Sequence, residues 1–244
     1  MLEIKNLSKS YSKGTVRAVD NLSLSVKNGE IFGFIGPNGA GKTTTIKLIT
    51  GILPIDQGSV TINGIDISRD PVRAKAQFGY VPDNHEVYDR LKGIEYLNFI
   101  GDVYGVPADV RAERMERYLT MFEIKNAVRE PIRSFSHGMK QKLILTGALL
   151  HNPSLWLLDE PMVGLDPRAS MLLKQEMRDH CSKGNTVFFS THVLEVAEKL
   201  CDRIGIILKG RLVAVGTLDE LRSGEKSESL EQIFFELTES AKEE

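Results

Sequence analysis

"IFGFIGPNGAGKTTTIKLIT", residues 31–50, decides the fold. It opens on a short apolar run typical of a strand buried on both faces. A glycine-rich turn follows, then a helix pattern that Gly51 ends from the C′ position. Gly36 to Thr43 match G-x-x-x-x-G-K-[ST] in the context that gives the pattern meaning, with a strand before it and a helix after it. Glycines let successive backbone N–H groups point at phosphate oxygens, and the helix N-terminus adds its positive dipole end. Lys42 is expected to reach the β- and γ-phosphates of a nucleotide, and the Thr43 hydroxyl to ligate Mg²⁺. The nucleotide-binding set is Gly36, Pro37, Asn38, Gly39, Ala40, Gly41, Lys42, Thr43 and Thr44.

Upstream, "LEIKNLSKSY" and "RAVDNLSLSV" alternate in period 2 and read as strands joined by a turn at "SKG". Downstream, "GSVTINGIDI" reads as strand, turn and strand. From about Pro71 to Lys142 the pattern turns helical, with "GIEYLNFIGDVYGV" and the Arg- and Glu-rich "DVRAERMERYLTMFEI". Strand and helix then alternate: "SLWLLDE", "PRASMLLKQEMRDHCSK", "NTVFFSTH", "VLEVAEKLCDR", and a closing hairpin in "RIGIILKGRLVAVG". Such alternation around one phosphate loop argues an α/β fold with a mostly parallel sheet. In the tail, Leu230, Ile233, Phe234 and Leu237 follow i, i+3, i+4, i+7, the pattern of a short amphipathic helix packed on its own domain.

Composition narrows the class. The 244 residues, 41% hydrophobic, suffice for a sizeable core. The 31 Lys and Arg against 33 Asp and Glu leave a formal charge of −2, so no electrostatic argument points to a nucleic-acid partner. Cys181 and Cys201 lack metal spacing and read as thiols in a reducing compartment. The N-terminus has no apolar signal region, and no apolar run approaches the ~18–20 residues that span a bilayer. A cytoplasmic chain is expected, reaching a membrane only through a partner.

Asp159 and Glu160 close the apolar strand "LWLLDE". In an open parallel sheet, that edge is where ligands bind. One carboxylate can hold Mg²⁺ through water, and the next can polarise the water that attacks the γ-phosphate. His192 ends another apolar strand on the same edge, so a γ-phosphate contact is plausible; His85, His137, His151 and His180 show no ligand spacing. Residues 134–142, "SFSHGMKQK", place a Ser, a His and a Gly at a second helix start, which on its own reads equally well as a Ser-capped helix.

Taken together, Tyr11, the phosphate loop, "GYVPD", "FSHGM", "LLDEP", "GLD" and "STH" occur in an order that resembles the ATP-binding subunit of an ABC transporter, from about residue 2 to about residue 238. The resemblance implies a P-loop NTPase core with an antiparallel β subdomain on its N-terminal side and an inserted helical subdomain at about residues 83–145. It implies a domain over residues 1–220 and a tail over residues 221–244. It implies that "FSHGM", through Ser136, His137 and Gly138, completes the ATP site of a second subunit in a head-to-tail dimer. Tyr11 would stack on adenine, and Glu160 would act as general base or water-positioning residue. His192 would be the γ-phosphate switch, and Asp166 would bridge the subunits. The helical insert would contact a membrane-spanning permease, with the segment after Pro82 relaying between ATP and transport. The dimer would be with itself or with a second ATP-binding subunit.

Two departures stand out. His137 and Met139 replace a Gly and the Gln of the usual signature, at positions whose backbone does the donating. Asp83 stands where most of the family has Gln. A carboxylate there is shorter and charged, suited to accept from Mg²⁺-bound water. Asp83, the tail and the absence of a large C-terminal regulatory domain most resemble the exporter branch with separate ATPase and membrane subunits. The expected function is thus MgATP hydrolysis powering export. The alternative, a non-transport ABC ATPase of DNA repair or translation control, would bring a long coiled coil or two ATPase units in one chain.

Overall fold

The structure, a computed structural model, describes residues 1–12, 15–84, 88–222 and 229–243. Part of the expected "SKG" turn, His85, part of the segment after Pro82 and the polar start of the tail lie outside the described residues.

Strands β1 (Leu2–Tyr11) and β2 (Val16–Val26) pair antiparallel, and their alternating buried and exposed residues cover one core. Strand β3 (Ile31–Ile35) is buried at all five positions. Helix α1 (Lys42–Ile49) starts at Gly41, which sits at φ 107 with the Ala18 carbonyl only 2.4 Å from where a Cβ would stand, so no other residue fits there. It ends as expected, with Gly51 at φ 66 just past the Thr50 cap. Strands β4 (Gln57–Ile62) and β5 (Ile65–Asp66) complete an antiparallel sheet in the order β2-β1-β4-β5.

Helix α2 (Pro71–Lys75) leads into β6 (Phe78–Val81), a strand that the reading of residues 71–142 as mostly helical does not single out. Four residues are too few to show a period, and β6 is defined by its parallel pairing with β7 (Leu155–Asp159). The helical part holds α3 (Gly93–Val103), α4 (Ala108–Met121), two short 3-10 turns and α5 (His137–Leu149). Helix α5 runs without a break past residue 145 and packs on β6. The rest alternates as expected: α6 (Pro167–Ser182), β8 (Thr186–Thr191), α7 (Leu194–Leu200), β9 (Arg203–Leu208), β10 (Arg211–Gly216) and α8 (Leu218–Leu221).

The second sheet runs β10-β9-β3-β8-β7-β6, parallel except for β10 at its edge. The C-terminal ends of β3, β7 and β8 therefore lie side by side. Helix α9 (Leu230–Glu243) buries Leu230 and Ile233 against Ala197, Ile204 and Ile206, with Phe234 and Leu237 beside them. The amphipathic tail thus packs on its own domain, as its spacing predicts.

Candidate active site

The loop between β3 and α1 closes round the ammonium of Lys42. Its Nζ donates to the carbonyls of Gly36 (2.8 Å) and Pro37 (3.3 Å) and lies 3.7 Å from Glu160 Oε1. No side chain caps α1, and no acidic residue occupies its first turn, so its N-terminal dipole faces an open pocket. Ala18, Pro37, Asn38, Gly39, Gly41, Lys42, Thr43, Thr44, Asp83 and Glu160 line that pocket, which encloses about 230 Å³.

Two carboxylates enter from the end of β7. Asp159 is fully buried, and its Oδ1 accepts from the Ser190 hydroxyl. Its Oδ2 is buried with no hydrogen-bond partner among the described residues. Burial raises the Asp159 pKa, the Ser190 and Thr43 hydroxyls oppose the rise, and the Asp83 and Glu160 carboxylates add to it. Glu160 turns back at φ 49, a region a non-glycine residue occupies only when its surroundings hold it there. Its N–H donates to both the carbonyl (3.2 Å) and the hydroxyl (3.1 Å) of Ser190. Its Oε1 lies 3.0 Å from His192 Nδ1. Lys42, Asp83, Asp159, Glu160 and His192 thus converge on one sheet edge.

Ser190 is the residue that sequence reading missed. A single hydroxyl inside "FFST" carries no motif. The signal that finds it is register: Ser190 stands opposite Asp159 in the parallel pairing of β7 and β8.

The donor set fits Mg²⁺. Two carboxylates, Asp83 and Glu160, against the one ammonium of Lys42 leave the pocket short of positive charge, and Thr43 and the orphaned Asp159 Oδ2 beside it offer hard oxygen ligands. Among the described residues no group of three or more His, Cys, Asp or Glu could hold a metal alone, so an ion bound here would need ligands from outside the chain.

The other expected site residues lie elsewhere. Tyr11 pairs with Val16 where β1 meets β2, stands exposed, and does not line the pocket; Ala18 does. Ser136 caps α5, its hydroxyl accepting from Met139 N at 3.3 Å. The His137 ring and the Gly138 backbone press on Gly164: a Cβ on Gly164 would come within 2.3 Å of that ring, and one on Gly138 within 2.6 Å of the Gly164 carbonyl. Asp166 engages both oxygens within its own chain. One accepts from Ala169 N at 2.8 Å, capping α6, and the other pairs with Lys142 at 2.8 Å. These contacts, Lys142 first, hold its pKa down at about 2.

The ABC transporter family model matches residues 19–163. The chain belongs to the ABC transporter family. It is 39% identical to the linearmycin resistance ATP-binding protein LnrL of Bacillus subtilis, over 91% of this chain and 71% of that protein. It superposes on a solved ATP-binding subunit of an ABC transporter with TM-score 0.93 and 36% identity, covering 98% of this chain and 99% of the other. A second solved structure is a dimeric ATP-binding cassette in a post-hydrolysis state with ADP and Pi. It matches with TM-score 0.81 and 25% identity, over 89% of this chain and 99% of that one. As an ABC ATP-binding subunit, this protein binds and hydrolyses ATP to power transport. Among the described residues, no helix is long and apolar enough to cross a membrane.

Proposed function

We propose that the pocket binds MgATP, with each converging side chain in a separate role. Lys42 and the N–H groups of residues 39–44 hold the phosphates. Thr43 and Asp159 would hold Mg²⁺, with Asp83 placed to accept from water beside it. When bound, the ion neutralises charge on the β- and γ-phosphates. Glu160 orients the attacking water and takes its proton, and His192 fixes the Glu160 carboxylate and contacts the γ-phosphate. Tyr11 offers its exposed ring to adenine. Ser136, His137 and Gly138 complete the site of a second ATP-binding subunit, identical or different. Asp166 reaches that subunit only by giving up Lys142.

The membrane-spanning partner sits on the helical part. An apolar groove of about 250 Å³ opens between that part and β6, lined by Tyr80, Tyr96, Ile100, Tyr104, Ile144 and His151, and α3 also exposes Phe99 and Val103. Through that partner the chain works on the cytoplasmic face and drives export.

One observation carries the catalytic reading: a strained Glu160 whose carboxylate lies between His192 and Lys42. Glu160→Gln keeps the shape and loses the base. It should bind ATP normally and hydrolyse it roughly 10²–10⁴-fold more slowly. Single-turnover assays beside equilibrium nucleotide titration check this. Normal turnover removes Glu160 from the chemistry.

A further inference from the structure

Gln141 lies on α5, one turn beyond the Ser136 cap, and is fully buried. Its Nε2 donates to the Pro161 carbonyl at 3.0 Å, and its Oε1 is buried with no hydrogen-bond partner among the described residues. An amide satisfied on one side only is a liability in a core, where an apolar side chain of similar volume would cost less. The neighbouring Leu143, Ile144 and Leu145 are buried and apolar, so the position lies in apolar surroundings. Packing therefore does not account for the amide.

What the amide grips is the residue directly after Glu160. On the other side, the Glu160 N–H is held by Ser190. The strap 160–166 is further tied to α5 where Gly164 meets His137 and Gly138, and where Asp166 meets Lys142. Gln141 is the tie nearest the strained residue. We propose that Gln141 is a positioning residue for hydrolysis: by holding the Pro161 carbonyl it keeps Glu160 in its left-handed backbone conformation, with the carboxylate against His192 and Lys42. The proposal rests on the reading of Glu160 as the group that orients and deprotonates water. It also ties the signature to the chemistry, because the helix that grips this strap begins at Ser136.

Gln141→Met keeps the volume and removes the donor. Loss of the unpaired Oε1 offsets loss of the donor to the Pro161 carbonyl, so it should unfold within a few degrees of the parent, leave KM for ATP unchanged, and lower kcat roughly 10- to 100-fold through a displaced base. A merely structural glutamine would instead lose Tm and kcat together, and that result overturns the proposal. Gln141→Glu supplies a second readout. Its carboxyl can donate to the Pro161 carbonyl only when protonated, and burial favours that form. Its kcat relative to the parent should therefore rise as pH falls from about 8 to about 6. A ratio independent of pH counts against the proposal. Glu160→Gln run in parallel separates the failures. If it hydrolyses ATP normally, the reading of Glu160 fails and Gln141 with it. If it is slow while Gln141→Met turns over at the parental rate, the inference about Gln141 alone is wrong.

Discussion

Glu160 shows what a single residue asks of its neighbours. A positive φ costs a non-glycine residue of order 1–3 kcal/mol, and here the Ser190 carbonyl and hydroxyl hold it. The same hydroxyl donates to Asp159, so one side chain serves the proposed base and a proposed metal ligand. Ser190→Ala should lower kcat and raise the Mg²⁺ concentration needed for half-maximal ATPase activity. It should also destabilise the fold by about 1–3 kcal/mol, the cost of a buried carboxylate oxygen left without its donor. Mg²⁺ titration of activity and chemical denaturation check both parts; an unchanged Mg²⁺ requirement would leave Ser190 a packing residue. Asp159, Glu160 and His192 were legible because each closes a sequence pattern at a strand end, and Lys42 because it belongs to the phosphate-loop motif that opens α1. Ser190 was not, because its meaning comes only from the strand alongside.

Elements are joined here by buried imidazoles. His151, just past the C-cap of α5, stacks on Tyr104 with ring centroids 3.7 Å apart, and its Nε2 lies 3.1 Å from the Phe78 carbonyl on β6. His180, on α6, stacks on Trp156 of β7 at 4.2 Å. Burial holds both pKa values down at about 4, against 6.5 for a free imidazole. Between pH 6.5 and 4 the unfolded chain takes up protons that the folded chain refuses. Stability must therefore fall as pH drops through that window, by up to about 3 kcal/mol for each histidine. His151→Phe keeps a ring on Tyr104 and cannot titrate. It should be less stable than the parent at pH 7 yet lose less on going to pH 5, by urea denaturation at the two values. An equal loss in both proteins would acquit His151. Sequence alone could say only that these histidines lack ligand spacing. The same limit hid β6, whose four residues acquire an identity from β7 on one side and α5 on the other. Helix α1 was legible end to end because both of its boundaries are chemical, a glycine at each.

For the whole molecule, the alternation of strands and helices made the parallel sheet legible. The order β10-β9-β3-β8-β7-β6 was not, since pairing between distant segments leaves no local mark. The molecule also carries two chemically distinct edges on one chain. One gathers Lys42, Asp83, Asp159, Glu160 and His192; the other begins at Ser136 on α5 and lines no part of that pocket. On the proposed reading a single copy offers two half-sites, and the head-to-tail dimer lets each edge meet its complement. Ser136→Arg should leave nucleotide binding by the isolated chain intact. It should block hydrolysis, because a bulky cation at the cap displaces the α5 donors from the partner's γ-phosphate. Lys42→Ala should block tight nucleotide binding in its own chain by removing the phosphate-paired charge. In a homodimer, mixing the two inactive variants forms one site from an intact phosphate loop and an intact signature, while the other site carries both lesions. Partial recovery of ATPase activity on mixing, with ATP-dependent dimerisation followed by size-exclusion chromatography, is the expected outcome. Dimerisation without turnover would mean that both sites must be intact to fire. Full activity of Ser136→Arg by itself would return residues 134–142 to an ordinary capped helix start.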